Sequence, residues 1–490
     1  MKRGDVMERS VFRGGRKGLY DRTNICLRAL RSTSSPTIGI VGIAITGGMC
    51  VSAIAQSKET PPGEREVIAA EVKEKETGFE GDHMTGDWGG LRTKLVDRGV
   101  HLQAGYIGEV IGNVSGGLKT GAIYEGLFEM GVRVDTEAAG LWKNGTFQVS
   151  SLFPHGPGFS EKYSGDLLTA SNIEAYESWR LYELWYEHTF AKKFSVRVGQ
   201  FTADNEFAVT ESGTEFLNSA FGWPAFISAN TINTGPAFFV AAPGIRLDYE
   251  ITKELYARAA IFDGDTFDNR EGDPRKNRHG VRLDVGGDQG YFGIVEIGYH
   301  WNQDGKDGAL PGGYKFGMWG HSGEFTSNFE DENREPFVVS GREPRTHSKS
   351  FGVYAVTEQM LWREKEAQGL YGFARGGASP EDRNFFELVV DGGILWRGLI
   401  PTRDEDALGI GAVYARVSKD IKRAERLDAQ VNGTIYDKFS SHETVLEAFY
   451  TLQLAKWWTV QPDVQWIIHP GGSGAIDDAV VVALRTSLVF

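Results

Sequence analysis

Apolar and polar side chains alternate along most of this chain, from about residue 100 to the last residue. Clear examples are Tyr182–Phe190, Ile245–Ile251 and Leu446–Leu454. A period of two places successive side chains on opposite faces of a β-strand. No long segment beyond residue 99 shows a convincing helical period, so the sequence predicts an all-β fold.

The polar faces of these predicted strands favour a membrane protein. Charged side chains stand in the middle of them, as at Arg197, Arg246 and Arg258. A dry core cannot hold many unpaired charges, whereas a water-filled lumen can. Aromatic residues cluster near segment ends, as in the girdles at both membrane interfaces. The pattern predicts a transmembrane antiparallel β-barrel, with a soluble sandwich that has one solvated face as the alternative.

Residues 1–55 have the layout of a signal peptide. A basic segment precedes the apolar run Ile38–Ile54, which leads into an A-I-A triplet typical of a cleavage site. A transmembrane anchor is the alternative, although the glycines in the run favour cleavage. Both cysteines, Cys26 and Cys50, lie in this leader. The exported chain would therefore have no disulfide and no cysteine chemistry, and its expected location is the bacterial outer membrane.

Two short segments separate the leader from the barrel. Residues 56–83 are charged and contain prolines, and we expect a weakly ordered periplasmic extension there. Segment 84–99 predicts a short helix, with Asp87 as its N-cap and Gly99 as its terminator. Such a helix could plug the channel mouth or anchor the segment to the barrel. Residues 100–490 then form one outer-membrane β-barrel.

The number of strands follows from a count of alternating segments. We find roughly sixteen or seventeen candidates, and bacterial single-chain barrels have an even number. Sixteen is favoured, with eighteen if Ala225–Ile232 contributes, and a barrel this wide encloses an aqueous channel. The final strand ends at Phe490 and resembles the signal that the barrel-assembly machinery reads. Long polar connections are predicted at 154–180, 204–236, 264–278, 303–311, 325–348 and 419–441.

The sequence gives little support for catalysis, metal binding or nucleic-acid binding. A formal net charge of −14 disfavours a phosphate backbone as partner. We find no phosphate-binding loop, dinucleotide fingerprint or histidine cluster. The Glu183 and Glu187 carboxylates could in principle serve a glycosidase, but a role in lining the lumen is simpler. We therefore predict that the protein is not an enzyme and has no cofactor and no metal.

Three segments of the chain resemble the OprB-type carbohydrate-selective porins. They are Thr85–Arg92 (TGDWGGLR), Val196–Phe201 (VRVGQF) with Asn205–Phe207 (NEF) close behind, and Gln461–Gly472 (QPDVQWIIHPGG). The segments lie in the family's order, and the resemblance covers roughly residues 83–490. It implies a sixteen-stranded outer-membrane barrel that passes monosaccharides such as glucose by facilitated diffusion, with an in-folded loop and a lumenal constriction.

The resemblance leaves some alternatives open. A general porin, or one for organic acids or polyols, would use the same fold. The expected partners are small sugars, outer-membrane lipid and the barrel-assembly machinery, and the sequence does not decide between a monomer and a trimer.

A sugar-selective lumen needs hydrogen-bonding groups beside apolar planes. Arginines would donate to sugar hydroxyls, carboxylates would accept from them, and aromatic rings could stack on the C–H faces. Arg197 is the preferred constriction residue because it lies mid-strand in a matched motif, although any candidate could be an ordinary wall residue. The predicted lumen residues are Arg197, Arg246, Arg258, Arg282, Glu183, Glu187, Asp248, Glu447, Trp185, Tyr256 and Phe449.

Overall fold

Sixteen antiparallel strands close into one barrel in the computed structural model. The structure describes residues 81–490 except 268–271, 287–288, 304–307, 366 and 434–437. The predicted leader, 1–55, and residues 56–80 of the predicted extension lie outside the described residues. The described residues form eighteen strands, of which β10 and β11 lie outside the barrel. They are β1 Val100–Ser115, β2 Gly121–Asp135, β3 Gly145–His155, β4 Arg180–Phe190, β5 Phe194–Phe201, β6 Ala242–Glu250, β7 Leu255–Asp263, β8 Tyr291–Trp301, β9 Gly312–His321, β10 Phe325–Asp331, β11 Pro344–His347, β12 Ser350–Lys365, β13 Gln368–Ala378, β14 Phe386–Arg397, β15 Ala407–Val417, β16 His442–Ala455, β17 Trp458–Ile468 and β18 Ala479–Val489.

Barrel strands that follow one another in the chain are paired, and β1 pairs with β18 to close the barrel. Strands β10 and β11 form a separate two-stranded sheet in the connection between β9 and β12. The α-helices are α1 Leu91–Val96, α2 Ala225–Ser228, α3 Phe337–Ser340 and α4 Lys419–Asn432. None of the helices in the described part of the chain is both long and apolar enough to cross a membrane. Because Ala225–Ile232 contains α2 and no strand, the predicted count of sixteen barrel strands is confirmed.

Long connections lie at one rim of the barrel and shorter ones at the other. The long ones are 156–179, 202–241, 264–290, 322–349 and 418–441. Four of them match the predicted bounds to within five residues, whereas the connection predicted as 264–278 extends to 290. The opposite rim has short turns such as 191–193 and 251–254. Periplasmic turns of such barrels are short and extracellular loops are long, which gives the orientation. The loop predicted at 303–311 falls between β8 and β9, which meet at the rim of the short turns.

The outer face of the barrel carries the apolar half of the alternation. Leu184, Val198 and Ile297 are examples of its exposed aliphatic side chains. Aromatic rings gather at the rim of the short turns, where Trp142 donates its indole N–H to the Tyr186 hydroxyl at 2.7 Å. A band of this kind suits the membrane interface, where a ring can be half in lipid and half in water.

One strand departs from the alternation expected for it. The pairing of β3 with β4 shifts between Val149 and Ser151, which leaves an extra residue in β4 near Tyr182. A strict period of two would put Tyr182 on the outer face with Leu184. Instead Tyr182 is buried, and its ring lies 6.5 Å from that of Phe238 in the β5–β6 connection. A bulge inserts one residue and re-aims the side chains before it, so the period of two does not hold across this point.

Helix α1 is shorter than the predicted segment 84–99. The backbone at Gly89 and Gly90 has positive φ, which breaks the helix before Leu91. Arg92 of this helix donates to Thr85 Oγ1 at 3.2 Å and to the main-chain oxygen of Phe490 at 3.0 Å. These bonds tie the amino-terminal segment to the end of β18, next to the seam where the barrel closes. The geometry favours the anchor over the plug.

Replacing Arg92 by alanine should lower the stability of the folded barrel by about 1–3 kcal/mol, because it removes bonds that a buried charged donor makes. Single-channel conductance should stay unchanged. Heat-dependent mobility on a denaturing gel measures the first effect and planar bilayers measure the second. Arg98→Ala, which changes an exposed arginine next to the same helix, is the control. A changed conductance in Arg92→Ala alone would support the plug.

Candidate functional site

The connection between β5 and β6, residues 202–241, folds into the barrel instead of standing above its rim. The ring of Phe216 in this loop packs edge-on against Phe449 of the wall, with centroids 4.9 Å apart. The ring of Phe226 stacks on Tyr354 at 5.8 Å. Burial of such rings removes apolar surface from water and holds the loop against the wall. The structure thus contains the in-folded loop that the resemblance implied.

Three arginines project into the barrel from adjacent strands, Arg197 from β5, Arg246 from β6 and Arg258 from β7. The register places Arg197 opposite Arg246 and Asp248 opposite Arg258. Like charges opposite each other in a sheet repel, so the row needs interleaved acids. Arg197 and Arg246 contact the same Oε2 of Glu187 at 2.9 and 2.7 Å, and Arg258 pairs with Asp248.

Glu206 joins this row from the in-folded loop. Its Oε1 lies 2.5 Å from Arg197 Nη1, and its Oε2 lies 2.7 Å from Arg246 Nε and 3.5 Å from Arg258 Nε. Burial by itself would raise the pKa of the Glu206 carboxyl, but the charges of the three arginines outweigh burial and hold the pKa at about 2. Glu206 is therefore ionised at neutral pH and ties the loop to the wall. We refer to the following six residues as the arginine–carboxylate cluster: Arg197, Arg246, Arg258, Glu187, Asp248 and Glu206.

Part of this cluster reaches solvent inside the barrel. The exposed fractions of the side chains are 13% for Arg197, 21% for Glu187, 22% for Arg258 and 17% for Asp248. Trp185 lies beneath Arg197, whose Cζ is 3.9 Å from the ring centroid. A cation over an aromatic face is attracted by the ring quadrupole, which orients the guanidinium. The cluster can therefore offer fixed donors and acceptors to a solute.

Glu183 and Tyr256, two further predicted lumen residues, lie near this cluster. Glu183 lies close enough to Arg197 and Glu206 to interact with their charges. The Tyr256 hydroxyl donates to Glu296 Oε1 at 2.8 Å. Because that donor is already used, Tyr256 can offer a solute little beyond its ring.

Glu447 and Phe449 face the barrel interior as predicted, but the in-folded loop covers them. The Glu447 carboxylate accepts hydrogen bonds from the main-chain N–H groups of Leu217 and Asn218 at 2.6 and 3.0 Å. Phe449 is buried against Phe216. Both residues contact the loop where the sequence had suggested contact with a sugar.

Arg282, predicted from the alternation as a lumen residue, does not lie on a barrel strand. Arg282 is exposed and lies in the β7–β8 connection, outside any strand. Its main-chain N–H donates to Asn277 Oδ1 at 3.2 Å. The apolar residues that alternate around it resemble a strand, but β7 pairs directly with β8, which leaves no place for another strand between them.

Sequence reasoning missed several charged residues that hold the loop. Glu296 Oε2 accepts from the Ala208 N–H and the Tyr354 hydroxyl, both at 2.9 Å. Glu206 stood in a quoted motif without a role, and Arg375 stood on the lumenal face of β13. The polar strand faces were a usable signal for Glu296 and Arg375, but alternation does not say which segment will lie opposite. Glu206 lies in a loop without periodicity.

No group of three or more histidine, cysteine, aspartate or glutamate side chains suited to a metal ion occurs among the described residues. The charged groups of the lumen instead pair with one another and with the main chain of the loop. Such an arrangement can bind polar solutes weakly by hydrogen bonds and can exclude others by size.

Comparison with known proteins agrees with this geometry. Residues 119–490 match the family model of the carbohydrate-selective porins, the OprB family. Porin B of Pseudomonas aeruginosa is 26% identical over 432 residues, which cover 83% of this chain and 91% of porin B. The high-pH structure of Pseudomonas putida OprB superimposes with a TM-score of 0.77 at 24% identity, over 85% of this chain and 100% of that structure.

The extent of the family match and the shared barrel fold indicate a channel rather than an enzyme, located in the outer membrane. The chain belongs to the OprB family of carbohydrate-selective porins.

Proposed function

We propose that this porin passes monosaccharides such as glucose by facilitated diffusion, and that the arginine–carboxylate cluster is the place where they bind on the way. The observation that carries the proposal is the row of partly exposed donors and acceptors around Arg197. A monosaccharide presents several hydroxyls that can donate and accept at once, so it matches such a row better than a solute of one charge sign does.

Charge balance supports a neutral solute. Arg197, Arg246 and Arg258 are matched by three carboxylates within ion-pair contact. A neutral sugar can replace lost water at these groups without disturbing their balance, whereas an organic acid must compete with the resident carboxylates. Binding must stay weak, because a tight site would trap the solute instead of conducting it.

Two aromatic residues have supporting roles in this proposal. The Arg197 guanidinium occupies one face of the Trp185 ring. Trp185 therefore holds Arg197 in place and does not offer that face to a sugar. Tyr256 has its ring parallel to that of His300 at 5.4 Å and contributes to the wall beside the cluster. The proposal also includes insertion into outer-membrane lipid by the barrel-assembly machinery, which would read the last strand and Phe490.

Reconstitution into planar bilayers tests the proposed solute. Stepwise conductance should fall when glucose is added and recover when it is removed, because a bound sugar displaces ions from the narrow section. Gluconate and sorbitol serve as matched probes, since they differ from glucose in charge and in ring closure. Conductance indifferent to glucose but reduced by gluconate or sorbitol would favour the organic-acid or polyol porin.

A further inference from the structure

Arg375 of β13 has an unusual set of partners inside the barrel. Its Nε donates to Asp391 Oδ2 of β14 at 3.0 Å. Its other four bonds go to main-chain carbonyl oxygens of the in-folded loop, at 2.7–2.9 Å. These acceptors are Ala208, Ala220, Phe221 and Gly222. All five N–H donors of the guanidinium are therefore used, and the side chain is fully buried.

The acceptors of Arg375 come from two separate places in the loop. Ala208 lies near its start, and the other three carbonyls lie at the end of the short 3₁₀ turn Ser219–Phe221. Carbonyl groups at the end of a helical turn have no partner within the turn. Inside the barrel they would be costly if left unbonded, and a single guanidinium satisfies three of them together.

Carboxylates of three other wall strands, β8, β12 and β16, hold N–H groups of the same section. Glu358 of β12 accepts from the main-chain N–H groups of Glu211 and Ser212 at 2.8 and 2.7 Å. Glu296 accepts from Ala208 and Glu447 accepts from Leu217 and Asn218, as described above. Residues 208–222 are thus held on the wall through their backbone, and Arg375 joins the two ends of this section.

We propose that Arg375 is a positioning residue that fixes loop section 208–222 against the barrel wall and so sets the free cross-section of the channel. The proposal rests on the proposed function for the identity of the solute, but not for the size limit. The wall thus holds backbone atoms of the section in addition to its aromatic rings. Arg375 acts through the loop and does not itself contact the solute.

The test uses Arg375→Met combined with Asp391→Asn, so that no unpaired buried charge remains. Loss of four bonds to the loop should raise the fraction of time that the section spends away from the wall by at least roughly tenfold. Single-channel recordings should then flicker between levels where the unmodified porin shows one, and the size cut-off for neutral polyethylene glycols should broaden. Asp391→Asn alone keeps the four loop bonds but leaves the guanidinium without its carboxylate, so it is the control for loss of that ion pair.

A reversible disulfide between the loop and the wall, here called the tether, distinguishes release of the loop from general misfolding of the barrel. The ideal Cβ position at Gly377 of β13 lies 2.3 Å from Cγ of Phe226 in the loop, so cysteines at these two positions are within reach of a disulfide. The chain beyond residue 50 has no cysteine of its own. In the Arg375→Met, Asp391→Asn background, oxidation of Phe226→Cys and Gly377→Cys with diamide should restore a single level and a sharp cut-off, and reduction should abolish both.

Two results would overturn the role of Arg375. One is a folded double variant with an unchanged conductance level and an unchanged polyethylene glycol cut-off. The other is a defect that persists after the tether is oxidised, including failure of the tethered protein to fold. Both readouts use salt and neutral polymer, so they remain valid even if glucose fails to reduce the conductance of the unmodified porin.

Discussion

Replacing Glu206 by glutamine should lower the free energy of unfolding by about 3 kcal/mol at pH 7. The carboxylate contacts Arg197, Arg246 and Arg258 at once. Without it, three arginines face two carboxylates in a partly buried site. The added positive charge should also shift the ion selectivity of the channel towards anions.

The stability effect of Glu206→Gln should depend on pH in a defined direction. The folded protein holds the pKa of Glu206 at about 2, below its ordinary value of 4.5. A group with a depressed pKa contributes its full stabilisation above the ordinary value and loses it as the pH falls towards the folded value. The difference between the two proteins should therefore be complete above pH 4.5 and should shrink as the pH falls towards 2.

Thermal unfolding in detergent at several pH values measures the stability difference, and the reversal potential in a KCl gradient measures selectivity. Glu161→Gln, which changes an exposed carboxylate of the β3–β4 connection, is the matched control and should alter neither. Equal stability of Glu206→Gln and the unmodified protein at pH 7 would mean that the loop does not depend on this ionic contact.

Replacing Arg197 by alanine should weaken the block of single-channel current by glucose by roughly tenfold, which corresponds to about 1.4 kcal/mol of binding. Arg197 is the arginine that lies on Trp185, and 13% of its side chain is exposed. Its loss removes donors from the lumen, while Arg246 still pairs with both Glu187 and Glu206. The barrel should still fold and conduct ions, with a lower stability because two arginines then face three carboxylates.

Current-noise analysis over a series of glucose concentrations measures this effect. Arg282→Ala is the matched control, because it removes an exposed arginine in a connection outside the strands. Arg197→Lys should recover only part of the block, since an ammonium group lacks the planar set of donors that a guanidinium has. An unchanged block in Arg197→Ala would remove Arg197 from the proposed site.

Much of the barrel could be predicted because alternation is a local property. Each strand needs one apolar face for lipid and one polar face for the lumen, so apolar and polar residues alternate along it. The lumenal positions of Arg197, Arg246 and Arg258 followed from the pattern alone. The Tyr182 bulge did not, because an inserted residue in one strand shows only in its pairing with the next.

The alternating segment around Arg282 does not form a strand, for a related reason. An extended segment with alternating apolar residues has the local signature of a strand, but a strand also needs a neighbour with free hydrogen-bonding groups. The direct pairing of β7 with β8 uses those groups. Pairing is a competition between segments distant in the chain, and periodicity in one segment cannot decide it.

The sequence by itself determined that this chain forms a water-filled barrel with charged residues inside, and its motifs indicated the family. Tertiary structure decided which of those charges a solute can reach. Glu447 and Phe449 satisfy the same alternation as Arg197, yet the in-folded loop covers them, while Glu206 enters the cluster from a segment without periodicity. The physical reason is that a loop takes its position from hydrogen bonds and ion pairs with distant strands, as at Arg375 and Glu206. Such contacts leave no period in the sequence.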